Sequence, residues 1–128
     1  MKNIAIVTIP HKHQAYPTVG NYTEKEGITL FEISQMKDWR FEMLVALHEF
    51  IEYLLVKHRG IKISDIDEFD KLFEKEREMG FHSDSEEPGF DPYAPYLKEH
   101  AFATKVERMM AKELGVDWDK YDKTIGEL

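Results

Sequence analysis

The chain has 128 residues, of which 42% are apolar and 12% aromatic, enough for one folded domain (1–128) with a modest core. It has no cysteine, which excludes disulfides, thiolate metal sites and thiol nucleophiles, so any metal must take His, Asp, Glu or water. Lys+Arg number 17 and Asp+Glu 25, a net charge of -8, which argues against nucleic acid as the main partner.

No apolar run reaches membrane-spanning length. Residues 1–7 begin like a signal segment, but Pro10 and His11 interrupt it before an apolar stretch forms. A soluble cytoplasmic protein is the expectation. Ile4 to Ile9 is short, β-branched and bounded by Pro10, and reads as a strand. After a loop through Pro17, Thr18–Thr23 and Ile28–Ser34 are extended, with Glu24–Gly27 as a Gly-terminated hairpin loop. Such a sheet is too small to stand alone, so helices must cover it.

The main helix is predicted from an Asp38 N-cap to about Arg59, with Gly60 at its end. Its apolar positions cover most of the circumference, as in a helix buried at the centre of a domain. A second helix is predicted from Ser64 to Gly80, with Ile66, Phe69, Leu72 and Phe73 inward. Phe81–Pro92 is acidic and carries Pro88, Gly89 and Pro92, so it reads either as a flap or as a mobile insertion. A third helix is predicted from Ala94 or Pro95 to Leu114, with Phe102, Ala103, Val106, Met109, Met110 and Leu114 as its apolar stripe. Asp117 then caps a short closing helix that bears Trp118, Tyr121 and Ile125. The fold class is therefore α+β, a small N-terminal antiparallel sheet (a hairpin plus one strand) on three or four helices.

In the main helix Phe41, Val45, His48, Glu52, Leu55 and Arg59 advance by three or four and share one stripe. His48 and Glu52 are thus neighbours in apolar surroundings. A buried carboxylate without a partner costs several kcal/mol, so Glu52 needs a metal, a cation or a proton of its own. On the third helix His100, Ala103, Glu107, Met110 and Leu114 share a stripe, which puts another imidazole and carboxylate on an inward face. His100 is the expected third ligand, Glu99 the runner-up, and Glu107 a group that orients a ligand from behind. A hydrogen-bonded network between helices with no metal satisfies the same atoms. The remaining histidines have simpler readings: His11 and His13 as a loop pair, His58 as a helix C-terminal cation, His82 as an exposed loop residue. Asp91 suits a turn, and Asp67 and Asp70 suit capping and solvation.

His48-Glu49-Phe50-Ile51-Glu52 has the form H-E-x-x-E and resembles the H-E-x-x-H helix of zincin-type metallopeptidases, with Glu52 in place of the second His. The resemblance implies a zincin-like pairing of sheet and helix and an ion on His48 and Glu52. It also implies Glu49 as general base on the bound water, and Glu99 as a ligand from a following helix. Zinc is the ion implied, with manganese or iron open because a carboxylate replaces an imidazole. A broader resemblance spans most of the chain. Tyr16-Pro17-Thr18-Val19-Gly20, Asp38-Trp39-Arg40, His58-Arg59-Gly60, Asp91-Pro92-Tyr93-Ala94-Pro95-Tyr96, Glu99-His100, Glu107-Arg108 and Leu114-Gly115-Val116-Asp117-Trp118 resemble segments of small proteins of phages and prophage-bearing bacteria. It implies no particular activity. Two functions follow as expectations: a metal-dependent hydrolase, peptidase-like, or a phage-associated module that binds an unidentified protein or peptide and uses the buried His–Glu cluster structurally.

Overall fold

The computed structural model describes residues 3–128 and is α+β. Strands β1 (Asn3–Ile9), β2 (Gly20–Lys25) and β3 (Ile28–Ser34) form one sheet in the order β1-β3-β2. Helices α1 (Trp39–His58), α2 (Ile63–Glu78), α3 (Leu97–Glu113) and α4 (Trp118–Gly126) follow.

The sheet is mixed and not antiparallel throughout. β2 and β3 form the expected antiparallel hairpin, but β1 pairs parallel to β3, with Asn3 opposite Ile28 and Ile9 opposite Ser34. The segment 10–19 is long enough to carry the chain from one edge to the other, so β1 lands on β3 and leaves β2 at the far edge. The hairpin loop is also tighter than expected. Glu26 and Gly27 alone make the turn, with φ of 52° and 80°, as a two-residue loop matched to strand twist requires.

Alternation along β3 turns Thr29, Phe31 and Ile33 toward the helices, and all three are buried. Phe31 packs edge-on to Tyr53 of α1 and tilted against Tyr22 of β2, with ring centroids 5.4 and 6.1 Å apart. Farther along, Ile33 joins Phe41, Leu44 and Val45 of α1 with Ala111, Val116 and Tyr121 from the C-terminal part of the chain. α1 is the central helix, as expected: it lies between the sheet and α3. Its start is fixed by Asp38, whose carboxylate accepts from the Arg40 backbone N–H at 2.9 Å.

Two helix faces differ from the apolar pattern. On α3 Phe102, Met109 and Met110 are exposed, while Glu99, Ala103, Glu107 and Ala111 are buried. The helix turns its polar stripe inward because that stripe finds partners on α1 and α4. On α2 Leu72 is exposed and Asp70 buried, and the helix begins at Ile63 with no side-chain cap from Ser64. The third helix begins at Leu97, since Ala94 and Pro95 lie in the turns that lead into it. Among the described residues no helix is long and apolar enough to cross a membrane.

Phe31→Ala should lower the unfolding free energy by about 3–5 kcal/mol, since the ring is fully buried and the cavity cannot close around it. Phe102→Ala should change it by less than about 0.5 kcal/mol. Urea denaturation of both variants checks the two faces together.

Candidate metal centre

α1 sets His48 and Glu52 one turn apart on the face it presents to α3, and both are buried. The first turn of α3 brings His100 to the same point. His48 Nε2 lies 3.1 Å from Glu52 Oε2 and 3.1 Å from His100 Nδ1, and His100 Nδ1 lies 2.9 Å from Glu52 Oε2. Three lone-pair-bearing atoms thus form a nearly equilateral triangle. Metal bonds of about 2.0–2.1 Å separate adjacent ligands by about 2.9 Å around an octahedral ion and about 3.3 Å around a tetrahedral one. The triangle fits the first as it stands and the second with a small opening. His48, Glu52 and His100 could hold a metal ion.

His48 and Glu52 are held from behind. His48 Nδ1 donates to Glu107 Oε1 at 2.7 Å, which leaves Nε2 as the atom facing the triangle. Glu107 Oε2 accepts from the Tyr121 hydroxyl of α4 at 2.5 Å. Glu52 Oε1 accepts from the Tyr22 hydroxyl of β2 at 2.8 Å, which leaves Oε2 free for the centre. Glu107 thus stands behind His48, on the side away from the triangle. The two tyrosines are not singled out by the sequence, beyond the rule that a buried hydroxyl needs a partner.

Glu99 is buried but lies outside the triangle. Its carboxylate pairs with the Arg59 guanidinium at 2.5 Å, on the side of α3 turned to the end of α1. Of the two acceptable third ligands, the structure brings His100 to the centre.

The triangle lines a cleft of about 690 Å³ enclosed by β2, α1, α2, the N-terminal turn of α3 and the loop after α2. Glu49 is half-buried in its wall, next to His48 in sequence. Gly20 makes room for it: a Cβ there would lie 2.8 Å from Glu49 Cγ. Across the cleft Asp70 is buried, with Oδ1 accepting from Tyr96 at 2.5 Å and Oδ2 from Tyr16 at 3.4 Å. Sequence reasoning gave Asp70 to capping and solvation. Its burial comes from the tyrosines that close over it, which no local pattern reveals.

The Phe81–Pro92 segment is docked. It forms a short 3-10 turn at Pro88–Phe90 and lays Gly89 against the His100 ring. His82 is not a free loop residue, because its ring stacks on Phe73 at 3.8 Å. His11 lines the cleft mouth but is tied to the Ser34 hydroxyl at 2.8 Å. His13 and His58 are exposed, and Asp91 closes a turn by accepting from the Tyr93 backbone N–H at 2.9 Å.

The electrostatics follow from burial and pairing. Burial pushes Glu49 up, with the Glu52 charge adding to it, to about 8. Burial likewise lifts Asp70 to about 7. Burial opposes charge on Glu52, but hydrogen bonds from His100 and His48 outweigh it and hold the carboxyl down to about 2. Burial also opposes charge on the imidazoles. It is outweighed at His48 by Glu107 and Glu52, which raise that group, and at His100 by Glu52 and Glu87, which raise it to about 9.

These shifts give a signed expectation for the metal-free protein. His100 is raised from 6.5, Glu49 from 4.5 and Asp70 from 3.8, so each binds protons more tightly folded than unfolded. Stability from such groups is present below the unfolded value and lost as pH rises through the folded one. Melting temperature in chelator should therefore fall between about pH 5 and pH 9. Added zinc should restore more stability at pH 8.5 than at pH 6, because the ion displaces protons from its ligands. Thermal melts across pH, with chelator and with zinc, read both slopes.

No protein-family model matches the chain, and no curated protein and no solved structure matches it.

Proposed function

We propose that the chain is a metal-dependent hydrolase, peptidase-like, with His48, Glu52 and His100 as metal ligands and Glu49 as general base. The observation that carries this reading is the triangle of donor atoms lining a cleft, with a carboxylate in the cleft wall beside it. Three protein ligands leave coordination positions for water and substrate, which is the arrangement of a catalytic and not a structural ion. The ion would supply Lewis acidity, lowering the pKa of a bound water and polarising a carbonyl.

The chain's own residues supply the rest. Glu107 and Tyr22 keep the His48 and Glu52 donor atoms aimed at the triangle. Burial and the Glu52 charge push Glu49 up to about 8, and in its ionised form it is placed to take a proton from water and return it to a leaving group. A nearby cation would favour its ionised form. The cleft has the volume of a small-ligand site and takes a short segment of substrate, an unidentified protein or peptide. Zinc suits the donor set, as do manganese and iron, since one ligand is a carboxylate.

Purified protein offered zinc or manganese should retain about one ion per chain by mass spectrometry. His48→Ala and His100→Ala should lower affinity by at least about a hundredfold. Glu49→Gln should keep the ion and lose at least about a hundredfold in the cleavage rate of a fluorogenic peptide library. A wild type that takes no ion, and whose melting temperature ignores chelator, would sink the proposal. It would leave the phage-associated binding module, with the cluster as a structural network.

A further inference from the structure

We infer that Glu87 is the positioning residue for His100, doing from the loop what Glu107 does for His48 from α3. The inference rests on the metal-centre reading above and adds to it a role for the Phe81–Pro92 segment.

His100 turns Nδ1 to Glu52 and His48, so Nε2 points the other way. That nitrogen is buried and is without a hydrogen-bond partner among the described residues. An imidazole that gives Nδ1 to an ion carries its proton on Nε2, so a buried donor faces an unfilled place. Glu87 Oε2 stands 3.8 Å from it. A small rotation of one carboxylate makes the bond.

The ring cannot turn to find another partner. A Cβ at Gly89 would lie 2.4 Å from His100 Cγ, so the loop backbone lies against the ring itself. Phe90 and Tyr96 meet the same ring edge-on, with centroids 4.7 and 5.8 Å away. The acceptor must therefore come to the imidazole, and the loop is built to bring it. The Arg77 guanidinium binds Glu74 through Nε at 3.0 Å, the Glu86 carbonyl at 2.5 Å and the Ser83 carbonyl. The backbone is thus anchored at the residue before Glu87. Glu86 cannot serve in its place, because its carboxylate is taken by His82 at 3.1 Å. A charged acceptor behind a ligand imidazole fixes its orientation and raises its basicity toward the metal.

The test is zinc affinity of the full chain, measured by competition with a chromophoric chelator, for wild type, Glu87→Ala, Glu87→Gln and Glu86→Ala. Glu87→Ala should weaken zinc by about 10- to 100-fold, and Glu87→Gln, which keeps an acceptor oxygen, by less. Glu86→Ala should stay within about twofold. The zinc-loaded wild type should show a protected His100 Nε2 proton in nitrogen-edited NMR spectra, and Glu87→Ala should lose it to exchange with water. A purely structural loop residue would leave that resonance in place. Glu87→Ala within twofold of a zinc-binding wild type, or an equal loss in Glu86→Ala, overturns this inference and leaves the metal centre standing. A wild type that takes no zinc overturns both.

Discussion

His48 uses both ring nitrogens inside the protein, and the rest of the structure depends on both being met. One binds Glu107 and the other faces Glu52 and His100, so a single imidazole ties α1 to two points on α3 about two turns apart. Breaking a buried pair by removing one partner costs about 3–5 kcal/mol, because the other is left as an uncompensated charge. That is a large fraction of what holds a domain of this size together. The polar seam between α1 and α3 is consequently as strict a packing constraint as any apolar layer. It explains why α3 exposes two methionines and a phenylalanine and buries two glutamates.

The seam also explains the placement of the peripheral elements. α4 is short, but Tyr121 is fully buried and supplies the hydroxyl that completes Glu107. β2 sits at the sheet edge nearer the cleft and supplies Tyr22 to Glu52. His48 and Glu52 thus each have one atom bound to a rigid element and one atom left facing the centre. This division of labour is what a preorganised metal site requires, since ligands that must move on binding lose affinity.

Much of this was legible in the sequence, for reasons that name residues. Asp38 announces the start of α1, and helical periodicity puts His48 beside Glu52 and His100 in line with Glu107. What stayed hidden depends on pairings between distant segments. His100 is expected ahead of the adjacent Glu99, and the pairing of Glu99 with Arg59, away from the triangle, cannot be read from local pattern. Apolar periodicity misread the inward face of α3 because it counts methionines and phenylalanines and cannot weigh a buried glutamate that has found a partner. The parallel pairing of β1 escaped because a ten-residue connection permits either edge of the hairpin, and local alternation does not choose. Asp70 read as a surface residue because Tyr16 and Tyr96 close over it from segments 54 and 26 residues away.

Charge balance joins the fold to the proposed chemistry. His48, Glu52, His100 and Glu107 bring two carboxylates into a space where net charge is costly. Two extra protons neutralise them, which is why both imidazoles hold a proton well above the ordinary histidine value. One divalent cation neutralises them equally, and the donor atoms already stand at the spacing it needs. A third carboxylate nearby upsets either balance, and burial with the Glu52 charge pushes Glu49 upward toward its protonated form. An H-E-x-x-H helix would carry one negative charge fewer and would leave a divalent ion less fully compensated. The glutamate at position 52 therefore makes a neutral metal-bound centre possible with Glu107 behind it. Metal and protons are then direct competitors for the two imidazole nitrogens that face Glu52.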